Sequence, residues 1–340
     1  MFRSLLAITG RRPKYIFPEV DPKVDGDDCR TDCNDCTVKC PSNVKIDTTL
    51  PMYGFIKEFH AHILVATGKS DWIRKVEQED GSLMEAFKSD SKSKHGRLMI
   101  SASNLTPPGG DLPNSSKTTV LLLPSFTFVD DVSYSDAQHV VETFIDVPSG
   151  IPTQSISSPR LSSRPCPHDY VVLLCSHKRR DARCGITAPL IKKEMERHLR
   201  GRDLYRDMDD ERPGGVGVYF VSHVGGHKFS ANVLIYRKKE QQMIWLARVK
   251  PEHCEGIVNY TILEGKIKTL GGPEVLQYKT DLPVPVLSNG EVLVNNDFIG
   301  ISYVNLYWRI GMMGVALGGI PRREAEETVV SVGPGSVGTT

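Results

Sequence analysis

The sequence predicts an α/β fold made of two copies of one β-α-β-β-α unit, and three observations carry that expectation. Short apolar runs alternate with stretches of helical periodicity along most of the chain. The same order of elements occurs twice: HAHILVATGKSDW (60–72) aligns with HDYVVLLCSHKRRD (168–181) at an offset of 108, pairing Thr67 with Cys175. Between the copies lies PSGIPTQSISSPRLSSRPCP (148–167), with the Pro and Ser content of a linker. The expected domains are thus 55–147 and 168–272. A basic, Cys-rich segment (1–54) precedes them, and an extension without an assignable role (273–340) follows.

In the first unit, residues 60–67 (HAHILVAT) form an apolar run of strand length. Trp72, Ile73, Val76, Leu83, Met84 and Phe87 give a helical stretch over 71–88. Residues 98–101 and 119–128 read as strands, and 135–145 as a closing helix with Ser135 at its N-cap. In the second unit 170–174 is a strand and 189–199 a helix with a basic outer face. Residues 216–222, 232–237 and 243–249 are strands, and 251–264 is a helix opened by Pro251 at its first position. No cysteine falls between Cys40 and Cys166, so the first copy has lost whatever thiol chemistry the second carries and is left as a structural or docking partner.

Composition narrows the class without giving a function. The 340 residues contain 42 Lys+Arg against 41 Asp+Glu, which removes the basic footprint of a nucleic-acid binder. With 39% hydrophobic and 24% charged residues, the chain is an ordinary globular protein rather than a disordered one. The apolar segment 298–320 is long enough to cross a bilayer. Arg309 at its centre costs about 2.5–3.5 kcal/mol there, and its glycines weaken a helix. It is read as buried or partner-facing, and no membrane is expected. Residues 1–18 hold Arg3, Arg11, Arg12 and Lys14 and no acid before Glu19. This suits a short mitochondrial presequence or the basic terminus of a cytosolic protein. The eight cysteines are clustered and no secretory segment opens the chain, which points to an intracellular protein with metal-binding or redox-active thiols.

The sharpest pattern is Cys175-x8-Cys184 followed by His223-x3-His227, each pair placed in a loop leaving a predicted strand. Gly225 and Gly226 allow the second loop to turn tightly. Two thiolates and two imidazoles complete either a tetrahedral zinc site or a [2Fe–2S] cluster. A Rieske second box needs a histidine three positions after its cysteine, and Thr187 stands there instead. A thioredoxin-type dithiol needs C-x-x-C, which this spacing does not supply.

The segments LCSHKRRDARCG (174–185), VSHVGGHKFSANVLIYRK (221–238) and IWLARVKPEH (244–253) resemble the fungal sucrase/ferredoxin-like family, whose members include actin-patches-distal and altered-inheritance-of-mitochondria proteins. The match is strong over 168–272 and weak over 55–147. It implies tandem thioredoxin-like units, the second a thioredoxin-like ferredoxin domain in which H-x3-H replaces the usual second cysteine pair. The ligands of a [2Fe–2S] cluster would then be Cys175, Cys184, His223 and His227. The implied protein is an electron carrier more than an enzyme, with a protein redox partner and the iron–sulfur assembly machinery as its contacts. The actin-patches-distal members tend to end in an aromatic signal for cytosolic cluster insertion, whereas this chain ends GPGSVGTT, which weakens the cytosolic expectation and points either to the mitochondrial relatives or to a divergent gene model.

That ligand set has physical consequences. Two ferric ions and two sulfides carry two net positive charges, which two thiolates cancel. Adding an electron to a neutral centre is easier than to a dianionic one, so the potential should exceed that of plant-type ferredoxins. The second imidazole proton makes electron transfer pH-dependent. Lys178, Arg179, Arg180 and Arg183 favour the reduced state or attract an acidic partner, or simply form a solvated basic loop. Asp181 is expected to hold that loop by ion pairs. His177 is expected behind the ligands or at the surface, the surface being favoured.

A second constellation, Cys29-x3-Cys33-x2-Cys36-x3-Cys40, could bind zinc or cuprous copper, form redox thiols or have no specific role. The spacing would align all four on a helix, but Asp27, Asp28, Asp32 and Asp35 without apolar periodicity read as a polar loop. Two alternatives therefore stand beside the cluster: a thiol–disulfide oxidoreductase working through Cys29–Cys40, and a structural zinc protein. His60, His62, His95, His139, His168, His198 and His253 have no paired ligand at useful spacing, and Cys166 and Cys254 are read as bystanders. No P-loop, dinucleotide fingerprint, nucleophile elbow, HExxH or glycosidase carboxylate pair occurs.

Overall fold

The computed structural model describes residues 17–26, 29, 31–46, 59–89, 93–106, 117–147, 158–267, 292–300 and 324–332; for Ser89, His227 and the last two stretches only the backbone is described. The basic terminus over 1–16 and residues 301–320 of the long apolar segment lie outside them. The chain divides into two units. In one, β11 (Val292–Gly300) and β12 (Glu324–Val332) form an antiparallel pair, so the apolar segment begins in a strand. Among the described residues no helix is long and apolar enough to cross a membrane. The other unit holds everything described from 17 to 267.

That unit contains α1 (Pro22–Asp25), β1 (Ala61–Ala66), α2 (Leu83–Ser89), β2 (Leu98–Ser103), β3 (Lys117–Leu123), β4 (Thr127–Ser133), α3 (Ala137–Val140), β5 (Ser162–Pro165) and β6 (Tyr170–Cys175). It continues with α4 (Ala182–Arg200), β7 (Tyr205–Arg206), β8 (Val216–Val221), β9 (Val233–Arg237), β10 (Gln242–Leu246) and α5 (Cys254–Gly256). Its strands form a single sheet in the order β10-β9-β6-β8-β2-β1-β3-β4-β5, with β7 beside β8. With the short strands β5 and β7 left aside, in each half the first two strands are parallel, the third runs antiparallel to the first and the fourth antiparallel to the third. The halves therefore repeat one topology. They meet through their second strands, antiparallel at Ser103↔Val221, so a two-fold rather than a translation relates them.

The repeat is displaced by one residue from the sequence alignment. Ala66 closes the β1 ladder opposite Ser103 as Cys175 closes that of β6 opposite Val221. Thr67 N–H donates to Ser103 O as Ser176 N–H donates to Val221 O. The structural counterpart of Cys175 is Ala66, and that of Thr67 is Ser176.

The sheet doubles over at its centre. β1 and β9 lie four strand spacings apart in the order, about 19 Å on a flat sheet. Yet His62 Nδ1 of β1 sits 2.9 Å from Tyr236 Oη of β9. Alternation explains the packing: Ile63 and Val65 of β1 face a core with Trp72, Met84 and Phe87, whereas Val172 and Leu174 of β6 face one with Ile191, Met195 and Val258. Leu64 and Ala66, and Val171, Leu173 and Cys175, point the other way into one core shared by both halves.

Several elements differ from the sequence reading. The single strand expected over 119–128 is the hairpin β3–β4: Pro124 and Ser125 turn the chain, a short break masked by the fully buried Phe126, which continues the apolar run into β4. Part of the expected linker is the edge strand β5, held by Arg164, which is 3.0 Å from Asp130 and lies over the Phe128 ring. The helix expected over 71–88 is a 3-10 turn (Val76–Gln78) and α2, separated at Gly81 (φ 71°), where few other residues fit. The cap of the closing helical segment is Ser133, not Ser135: Ser133 N–H donates to Asp136 in a capping box. α4 begins at Ala182 rather than at Pro189, because Asp181 caps it by accepting from Arg183 N–H, and Pro189 lies inside the helix.

Candidate functional site

The end of β6, the first turn of α4 and the loop after β8 place three of the four sequence-predicted ligands. Cys175 is the last residue of β6, and Cys184 sits in the first turn of α4 rather than in a loop. Both are 1% exposed, and their thiols lie within hydrogen-bonding reach of each other. His223 follows β8 and is partly exposed. The backbone of His227 enters the 3-10 turn His227–Phe229, while its side chain lies outside the described residues. The loop before that turn carries Gly225 and Gly226 at positive φ (98° and 61°), as a tight return requires.

The two thiols are not equivalent. The hydrogen bond from Cys175 lowers the pKa of Cys184. The Ser230 hydroxyl at 3.4 Å and the Arg183 charge act in the same direction. The first turn of a helix favours a thiolate further. Cys175 is pushed up by that same bond and by burial, although the His177 and Val224 N–H groups donate to its sulfur. Cys184 is therefore the first of the pair to ionise. The Val224 donor also fixes the His223 loop against Cys175.

His177 is buried, contrary to the surface position favoured from sequence. Its Nε2 lies 3.1 Å from Trp72 O and 3.0 Å from Ile73 O, and its Nδ1 lies 3.2 Å from His223 N. Two carbonyls require Nε2 to donate, so Nδ1 accepts the His223 N–H. Burial keeps this imidazole neutral by lowering its pKa. One side chain thus links the first half, the Cys175 loop and the His223 loop.

The first half grips the same loop elsewhere. Ser176 Oγ donates to Ser70 O (2.7 Å), Arg179 N–H to Asp71 Oδ1 (3.2 Å) and Arg180 to Arg74 O (3.3 Å). The loops after β1 and β6, equivalent in the repeat, dock on each other. Arg183 pairs with Asp181 at 2.7 Å, as the ion-pair role for Asp181 anticipated. Lys178, Arg179 and Arg180 remain at the rim. A cavity of about 200 Å³ beside His223 and His177 is lined by Arg74, Glu77, Lys88 and Arg180 among others.

Of the N-terminal cysteines, Cys33, Cys36 and Cys40 line a separate cavity of about 660 Å³ with Lys250 and Glu252. The segment is a loop, as its aspartates predicted. Cys29 is buried and is not among the lining residues. Burial raises the pKa of Cys33, Cys36 and Cys40, with nearby glutamates adding to it, so all three are thiols at neutral pH. His198, left without a partner in the sequence, lies beside Cys33 and Glu194. The i, i+4 spacing of Glu194 and His198 was the signal available; their proximity to Cys33 was not legible across 165 positions.

Comparison with known proteins places these residues in a family. Actin patches distal protein 1 of Saccharomyces cerevisiae is 31% identical over 261 residues, covering 73% of this chain and 82% of that protein. Altered inheritance of mitochondria protein 32 of Clavispora lusitaniae is 31% identical over 255 residues, 70% of this chain and 89% of that protein. The Debaryomyces hansenii protein of the same name is 40% identical over 98 residues, 28% of this chain and 32% of that protein. No solved structure matches the chain significantly. The Suc_Fer-like family model, described as sucrase/ferredoxin-like, matches residues 52–270, and the chain belongs to that family.

Proposed function

We propose that the protein is a one-electron carrier whose [2Fe–2S] cluster is held by Cys175, Cys184, His223 and His227, in the second of two thioredoxin-like units. The carrying observation is the meeting of two buried thiols at the ends of β6 and α4, with the His223 loop tied to them. The thiol half of the donor set suits the group: Cys184 is the more acidic of the pair, and two backbone N–H groups donate to the Cys175 sulfur, as hydrogen bonds do to the sulfurs around such clusters. The thioredoxin-like reading rests on the repeated strand order, a parallel first pair followed by two antiparallel strands.

When bound, the cluster would accept and release single electrons at a potential raised by its neutral ligands. The remaining work falls to the chain. His177 orients the His223 backbone, the Ser70–Arg74 loop of the first half braces the Cys175 loop, and burial excludes water from the thiols. Lys178, Arg179 and Arg180 offer an acidic redox partner a positive rim. Loading would come from iron–sulfur assembly machinery. The relatives' names refer to mitochondria and to actin patches, and we place the protein inside the cell.

The reading of a thiol–disulfide oxidoreductase through Cys29–Cys40 finds less support, since Cys33, Cys36 and Cys40 are protonated at neutral pH and so are weak nucleophiles. Iron, acid-labile sulfide and zinc measured on anaerobically purified wild type and on the single variants Cys175→Ser, Cys184→Ser, His223→Ala and His227→Ala test the proposal. Two irons and two sulfides per chain, lost in each variant, support it. A colourless protein with one zinc and little iron would leave a structural zinc site in its place.

A further inference from the structure

We infer that Cys33, Glu194 and His198 form a second metal site, distinct from the cluster, for a thiophilic divalent ion of the zinc type. Their donor atoms all lie within 4.8 Å of one another. Cys33 Sγ is 3.9 Å from His198 Nε2, which is 3.4 Å from Glu194 Oε1. A tetrahedral zinc with ordinary bond lengths sets sulfur–nitrogen and nitrogen–oxygen edges of about 3.6 Å and about 3.3 Å. The two observed edges already stand close to these separations, and the sulfur–carboxylate edge lies within 4.8 Å.

The local structure prepares them. Glu194 and His198 occupy positions i and i+4 of α4, on one face of the helix. Glu194 is fully buried. Its Oε2 accepts from Thr37 N–H and Oγ1 at 3.1 and 2.7 Å, leaving Oε1 directed at the common point. His198 is 7% exposed. Cys33 begins a C-x2-C pair whose second thiol, Cys36, lines the same open cavity, so a fourth position faces solvent and a further thiol.

A cation already stands in front of the three donors. Arg197 Nη2 lies 2.5 Å from Glu194 Oε1, 3.1 Å from His198 Nε2, 3.3 Å from Asp35 O and 3.7 Å from Cys33 Sγ, and its Nε donates to the same Oε1 at 2.8 Å. The Arg197 side chain is 38% exposed and can swing into solvent, while the donors stay in place. A divalent ion takes the guanidinium's place and keeps the buried carboxylate neutralised, and the Cys33 thiol releases one proton to solvent as it binds. The bound ion pins the Cys-rich loop to α4. That helix carries Cys184 ten residues earlier, about 15 Å along its axis.

Cobalt(II) added to the full-length protein tests the site through its thiolate charge-transfer and ligand-field bands. We expect a cobalt–thiolate spectrum that Cys33→Ala and His198→Ala abolish and that Cys175→Ser leaves intact, whether or not the cluster proposal holds. Arg197→Ala removes the competing cation and should bind cobalt more tightly, by about tenfold or more, since the two charged hydrogen bonds from Arg197 to Glu194 Oε1 no longer have to be broken. A merely structural role for these residues would not produce that gain. A cobalt–thiolate band absent from both wild type and Arg197→Ala, or one that persists unchanged in Cys33→Ala, overturns the inference.

Discussion

His62 allows a quantitative test of the doubled-over sheet. Its ring is fully buried in the shared core, bridging Tyr236 Oη at 2.9 Å and Ser101 Oγ at 3.0 Å. Burial pushes its pKa down to about 3, from an ordinary value of 6.5. Between those values the unfolded chain binds a proton that the folded chain refuses. The contribution is therefore complete above pH 6.5 and is lost as the pH falls toward 3. By pH 5 the loss is about 2 kcal/mol. Replacing His62 with glutamine removes the titration and costs about 1 kcal/mol or more at pH 7 through imperfect hydrogen bonds. His168, His177 and His198 are also depressed by burial, but they are common to both chains and cancel in the comparison. Urea unfolding followed by tryptophan fluorescence at pH 7 and pH 5 measures the difference. Wild type should lose about 2 kcal/mol more than His62→Gln on acidification. Equal losses would mean that His62 is not held neutral between the two halves, and the reasoning would fail.

Three further perturbations bear on the ligand loops. His177→Ala leaves the His223 N–H and two carbonyls without their partner, and should weaken iron retention against a chelator about 10–100-fold; retention equal to wild type contradicts the linking role. In Gly185→Ala the new Cβ would lie 2.9 Å from Lys178 Cα, an overpacking beside Cys184 that should cost about 1–3 kcal/mol in thermal unfolding; an unchanged midpoint refutes it. Asp181→Ala removes the cap of α4 and the partner of Arg183, with an expected loss of about 1 kcal/mol that Asp181→Asn should largely recover.

The sequence revealed elements where burial and pattern agree. β1 and β6 are buried strands whose apolar runs could be read directly. The same rule hid the β3–β4 turn, because Phe126 is as buried as the strands around it. β5 was hidden for the opposite reason: Ser162, Ser163 and Arg164 have linker composition, and their pairing with β4, well earlier in the chain, makes them a strand. The repeat was legible, but its register was one residue off, since the matched histidines His60 and His168 do not occupy equivalent places. Spacing singled out all four ligand candidates, while the reach of α4 back to Cys184 was masked by Pro189 and by the basic run before it. His177 and the Cys33–Glu194–His198 group were out of reach, because their meaning lies in contacts across 105 and 165 positions of chain.

The central claim is that Cys175, Cys184, His223 and His227 hold a [2Fe–2S] cluster. Electron paramagnetic resonance of anaerobically purified protein, before and after dithionite, tests it most directly when repeated on His223→Cys. The account predicts a silent oxidised state and a reduced signal of low average g, which shifts toward that of an all-thiolate cluster when His223 becomes cysteine. A dithionite-treated sample without a signal, carrying one zinc per chain, would contradict it.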